Sequence, residues 1–146
     1  MRRSFAVFAA LGLMAVLSLP ALGMPVAARD PLEIKLLSPL ANRSEWYGGA
    51  VIPLRVNVTD PDFGSGDLGE GREGANVTVW VNAQPATGTG LNMGNVMKDM
   101  GGGIYQFNLK TKPYPAGPGT EPIHIVIIAE TGDDHAGEIE VLIHLN

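Results

Sequence analysis

From Pro122 to Leu145 the chain alternates apolar and polar residues with a period of two, and that stretch leaves few folds open. Ile123, Ile125, Ile127 and Ala129 fall on one side of a first strand, and Ile139, Val141, Ile143 and Leu145 on one side of a second. Between them runs Thr131–Gly137, polar and rich in Gly and Asp. β-Branched residues at this period, interrupted by turn formers, predict an antiparallel hairpin with one buried face. The opposite row (His124, Val126, Ile128, Glu130, then Glu138, Glu140, Leu142, His144) is less polar than an ordinary solvated face.

The same period recurs upstream in short bursts. Leu32–Leu37 is a predicted strand, as is Ala50–Thr59, with Ile52, Leu54, Val56 and Val58 inward. Pro53 has no N–H to donate, which predicts a sheet edge or a bulge there. Ala75–Asn82 follows, with Val77, Val79 and Val81 inward and Asn76, Thr78 and Trp80 outward. Residues 83–95 are weakly patterned and leave room for one short strand, and Val96–Met100 for another; Ile104–Lys110 turns Tyr105, Phe107 and Leu109 inward. Beyond the N-terminal segment no helical period is found. Short strands separated by turn signals predict an all-β antiparallel sandwich of about seven strands.

The N-terminal segment stands apart. Arg2 and Arg3 precede an apolar run, Phe5 to Leu19, too short to span a bilayer comfortably, and small residues follow at Gly23 and Ala28. The pattern predicts a secretory signal peptide over residues 1–28, with a single domain over 29–146 and no membrane insertion after cleavage. An uncleaved anchor is the alternative. Arg2-Arg3-Ser4-Phe5 also fits part of a twin-arginine signal, whose flanking positions Met1 and Ala6 miss. This places the domain outside the cytoplasm, secreted or periplasmic. Cysteine is absent, which excludes disulfides, a lipid-modified cysteine, a thiolate metal site and a cysteine nucleophile. Of the chain's 10 Lys and Arg and 15 Asp and Glu, only Arg2 and Arg3 lie in 1–28, so the remaining part carries 8 and 15, a net −7. Such a balance argues against nucleic acid, whose phosphates need Lys and Arg.

Four stretches together carry a resemblance: Asp60-Pro61-Asp62, Gly74-Ala75-Asn76-Val77-Thr78-Val79, Gly103-Ile104-Tyr105-Gln106-Phe107 and Ile123-His124-Ile125-Val126-Ile127. The series resembles a bacterial or archaeal Ig-like sandwich module and is similar to the YtkA-like extracytoplasmic domains, some of which are associated with copper handling. The resemblance implies an Ig-like fold and says little about function, because such folds host many activities. CopC-like copper sandwiches are related by fold. The histidine they carry near the mature N-terminus has no counterpart at Met24 or Arg29.

Three chemistries can be weighed from residue types. Asp60, Asp62, Asp67, Glu70 and Glu73 crowd one loop, and Asp133, Asp134 and His135 the hairpin turn. In an Ig-type sandwich these two loops share a pole, so Asp60, Asp62, Asp67, Asp133 and Asp134 form a candidate calcium site, while the bland reading is solvated turns. Met93, Met97 and Met100 supply thioethers that suit copper, although methionine is as readily a core filler. Otherwise no cofactor is implied. Catalysis, as in a small hydrolase, finds little support: no serine sits in a G-x-S-x-G elbow, and the histidines have no nucleophile beside them in sequence. Three N-x-S/T sequons, at Asn42, Asn57 and Asn76, permit glycans only in a host able to attach them.

A non-catalytic module for protein binding or structural assembly is the reading that remains, with an extracytoplasmic metal-binding protein as the alternative. The binding surface is expected on the outer row of the closing hairpin. If Glu130 faces Glu138, then Ile128 faces Glu140, Val126 faces Leu142 and His124 faces His144. With Trp80 on the neighbouring strand, the candidate partner-binding residues are Trp80, His124, Val126, Ile128, Leu142 and His144, an apolar patch between two histidines. The expected occupant is a protein: a second copy or a larger envelope complex.

Overall fold

The computed structural model describes residues 30–61, 70–90 and 92–146. The predicted signal peptide, Asp62 and Asp67 lie outside the described residues. Eleven strands form two sheets among those that are described. One sheet runs β1 (Asp30–Pro31), β11 (His135–Leu145), β10 (Ile123–Glu130), β6 (Asn76–Val81) and β7 (Gln84–Pro85), with β3 (Ser44–Trp46) alongside β11. The other runs β2 (Glu33–Leu37), β4 (Val51–Asp60), β9 (Ile104–Lys110) and β8 (Lys98–Asp99), with β5 (Glu70–Gly71) alongside β4. Seven of these, β2-β4-β9-β8 facing β11-β10-β6, have the four-plus-three order of an immunoglobulin sandwich. The protein is an all-β, Ig-like sandwich.

Alternation is what brings the two sheets together. Val77, Val79 and Val81 of β6, Ile125 and Ile127 of β10, and Val141 and Ile143 of β11 meet Ile52, Leu54, Val56 and Val58 of β4 and Tyr105, Phe107 and Leu109 of β9. All are essentially buried, each contributing ~1.5–3 kcal/mol on leaving water. Met97 belongs to this core, 4% exposed, whereas Met93 and Met100 are 85% and 52% exposed. Met97 therefore fills the sandwich interior, while Met93 and Met100 reach solvent.

Both sides of the sandwich are closed by segments that change sheets. Residues 30–37 pair first with β11 and then with β4. Residues 95–99 lie first against β6, where Thr78 bridges Val96, and then against β9. The first crossing is close enough to demand glycine: a Cβ on Gly137 would stand 2.3 Å from the Leu32 carbonyl oxygen. Pro53 sits at a local edge. Strand β4 lies inside its sheet, but β2 stops pairing at Arg55, so Pro53 faces a partner only through β9. Its missing N–H leaves no gap in a ladder.

The hairpin register is also corrected. Glu130 faces Ala136, Ile128 faces Glu138, Val126 faces Glu140 and His124 faces Leu142, two residues away from the predicted pairing. The turn is tighter than the sequence suggests. Thr131 N–H donates to the His135 carbonyl at 2.9 Å, His135 N–H donates to Thr131 Oγ1 at 3.1 Å, and Asp134 takes a left-handed φ of 64°. A shift of two leaves every side chain on its predicted face, so the hydrophobic pattern is blind to it. The turn decides.

Candidate functional site

The outer row of β10 is flanked by β6 on one side and β11 on the other, and the register sets what meets there. Val126 lies between Trp80 and Glu140, and Ile128 between Thr78 and Glu138. Trp80, Val126, His124, Glu138 and Glu140 line a concave surface of ≈ 370 Å³, with Asn82 and Ala83 at its end. The floor is apolar and the rim carries carboxylates.

Each wall is held by local chemistry. Trp80 Nε1–H donates to Thr78 Oγ1 at 3.0 Å, which lays the indole along its own strand. Asn82 and Ala83 have φ of 49° and 64° and close a two-residue turn between β6 and β7, the geometry that favours Asn and Gly. Asn82 also joins β10 on both sides of the peptide: its N–H donates to the His124 carbonyl at 2.9 Å, and its Oδ1 accepts from His124 N–H at 3.0 Å. His124 Nδ1 stands 2.8 Å from Glu140 Oε1. Both side chains are more than half exposed, so this pair orients the ring and adds at most ~1 kcal/mol.

Not all six predicted contact residues gather here. Trp80, Val126 and His124 do. Ile128 is corrected from exposed to buried, at 1% exposure, on the central strand of the sheet. Leu142 is half-buried beside His124, and its N–H donates to Asn42 Oδ1 at 2.9 Å. The histidine pair does not form. His144 lies past the end of the β10 ladder, opposite Glu45 of β3, and its Nδ1 meets Asn146 Oδ1 at 3.1 Å. The groove members that sequence reasoning missed, Asn82 and Ala83, had a turn signal in Val-Asn-Ala-Gln that only the pairing of β7 makes legible.

At the pole, Asp60 and Asp133 meet around a cation supplied by the chain itself. Arg72 places one guanidinium nitrogen 2.6 Å from Asp133 Oδ2 and another 3.6 Å from Asp60 Oδ2. His135 Nε2 lies 3.6 Å from the same Asp60 oxygen and 3.9 Å from Asp30 Oδ2. Asp60 is fully buried. Hydrogen bonding from Thr131 and from Arg72 lowers the Asp133 carboxyl to a pKa of about 2. Partial burial of His135 opposes its charge, but the Asp133 carbonyl and the carboxylates of Asp60, Asp133 and Asp30 prevail and raise its pKa. Asp134 serves the turn. Among the described residues no group of three or more acidic or histidine side chains is arranged to hold a metal ion. Arg72 was the missed residue, and its signal was plain: one cation in a run of five carboxylates.

No protein-family model matches the chain, and no curated protein matches it. Among solved structures it is similar to the N-terminal Ig1-2 module of the Drosophila receptor protein tyrosine phosphatase DLAR, at 17% identity over 80% of this chain and 49% of that one, with a TM-score of 0.47. It is also similar to the titin M3 domain, at 11% identity over 79% of this chain and 98% of that one, with a TM-score of 0.46. The chain thus spans about half the length of the DLAR module. The fold rests on the sheet order described above, and neither likeness bears on function.

Proposed function

We propose that this protein is an extracytoplasmic, non-catalytic module that binds protein through the outer face of β6, β10 and β11. The observation that carries the reading is the groove itself, where Trp80 and Val126 are paired across neighbouring strands beneath a rim of Glu138, Glu140 and His124. Tryptophan anchored in a partly desolvated depression with polar groups around it is how protein contacts concentrate their binding energy. A flat, fully solvated sheet face would offer no such anchor. The N-terminal pattern supports export, and the resemblance to YtkA-like domains supports the same location. No described helix is long and apolar enough to cross a membrane.

A photoreactive phenylalanine analogue in place of Ala83, with the full chain produced in its own cells, tests this. A discrete protein adduct is expected from position 83, none from a matching probe at Pro53 on the other sheet, and loss of the adduct on Trp80→Ser. Equal labelling from both faces, or an adduct indifferent to Trp80, would discard the groove.

A further inference from the structure

Charge is sorted between the two sheets. None of the six strands β1, β3, β6, β7, β10 and β11 contains Lys or Arg, and the outer face they form carries Glu45, Glu130, Glu138 and Glu140. Arg43 borders that face where the loop meets β3. On the other sheet, pairing places Lys35 opposite Asn57, Arg55 opposite Gln106, Lys98 opposite the same Gln106, and Lys110 opposite Val51. Each has a neighbour in sequence packed in or against the core, so all four cations point outward, while Glu33 and Asp99 are exposed acids on the same strands. All four are exposed, and none is ion-paired among the described residues. The basic face also exposes apolar surface: Val51 is 49% exposed, and Met100 is 52% exposed beside Lys98, Gln106 and Asn108.

We infer that the groove's occupant is a second copy of this chain, presenting its β2-β4-β9-β8 face to the β6-β10-β11 face of the first. The inference rests on the groove being a protein-binding surface and adds the identity of the partner. Two acidic faces brought together would set Glu138 and Glu140 against their own counterparts, which disfavours an isologous contact. Opposite faces of one sandwich give each copy one surface of each sign. A contact of that kind is heterologous and does not close on itself, so the product is a head-to-tail stack rather than a two-fold dimer. Its size is modest. Three strands of about eight residues cover roughly 400 Å², which puts the contact at the weak end of specific interfaces. Association is therefore concentration-dependent, set in at roughly 0.1 mM, and steered by charge that salt screens.

Sedimentation velocity of the full chain, as it is exported, gives the test. At low ionic strength the wild type is expected to shift from monomer to larger species over that concentration range, and 0.5 M salt should return it to monomer. E138K/E140K and R55E/K98E should each be monomeric, with unchanged melting temperatures, and an equimolar mixture of the two should associate again. Carbodiimide treatment of the wild type should join Lys98 to Glu140. These two groups lie on opposite faces, whereas Lys35 and Glu138 line one depression where residues 30–37 cross between the sheets; a Lys98–Glu140 link can therefore form only between molecules, and the readout needs no variant. Association that survives R55E/K98E means the acidic faces meet each other and overturns the head-to-tail contact. A wild type that is monomeric throughout and yields no such link overturns it as well. In that case an adduct from position 83 to a different protein would still uphold the groove.

Discussion

Arg72 shows how one side chain changes the meaning of a cluster. Five carboxylates in a loop invite a divalent cation, yet the guanidinium already lies between Asp60 and Asp133. Asp60 is fully buried, so its charge depends on near neighbours rather than on solvent. Arg72→Met removes a partner from a buried carboxylate and is expected to cost about 3 kcal/mol, measured as a lower urea midpoint. The same cluster sets a pH profile. Asp133 titrates at about 2 in the folded protein instead of 3.8, so its contribution is complete above 3.8 and is lost as pH falls toward 2. His135 has its pKa raised above 6.5, so its contribution is complete below 6.5 and is lost as pH rises through the folded value. Both contributions are present together between about pH 4 and 6.5. The melting temperature should form a plateau in that window and fall on either side, and His135→Gln should remove the decline on the alkaline side alone.

Elements differ in how far their own residues specify them. Strand β9 spans Ile104–Lys110 as its alternation predicts, because both its faces are defined by contrast between apolar and polar positions. Strands β1, β3, β5 and β7 are only two or three residues long and have no period to read. They exist because a neighbouring strand has free backbone groups to pair. The β6–β7 turn is a case with a measurable cost. Ala83 holds φ at 64°, where a Cβ is crowded by ~1 kcal/mol or more. Asn82 tolerates its own positive φ far better, since its amide side chain bonds to β10. Ala83→Gly should therefore stabilise the protein by roughly 0.5–1 kcal/mol, part of the relief being offset by unfolded-state entropy. A rise of a few degrees in melting temperature would register it, and an unchanged or lower value would contradict it.

At the scale of the whole molecule, the two faces of the sandwich are chemically unlike. The strand sequences contain this sorting in full, since β6, β10 and β11 have no Lys or Arg while β2, β4, β8 and β9 have four. What turns it into two opposed surfaces is the sheet order. Strand β9 shares a sheet with β2 and β4 although it lies far from them in the chain, and β8 joins them only after the preceding residues have run along β6. Segments 30–37 and 95–99 cover the sandwich's sides, which leaves the two broad faces as the surfaces open to a partner. The groove with Trp80 lies on the acidic one. Recognition and charge thus coincide on one face, and the complementary charge lies on the other.

The period of two by itself determined the fold class, the inward residues of five strands and the face on which every outer residue of the hairpin lies, because burial rewards one row and leaves the other to solvent. It could not determine the register. A slip of two residues preserves both rows, and only the Thr131–His135 hydrogen bonds with Asp134 in a left-handed conformation select the pairing that sets Val126 beside Glu140 and separates His124 from His144. The counter-ion of Asp133 was not readable, because the sequence places Arg72 and Asp133 61 residues apart. Nor was the burial of Ile128, which shares the outer row with exposed residues. Periodicity reports which side of a strand a residue is on, and tertiary packing alone decides whether that side is covered.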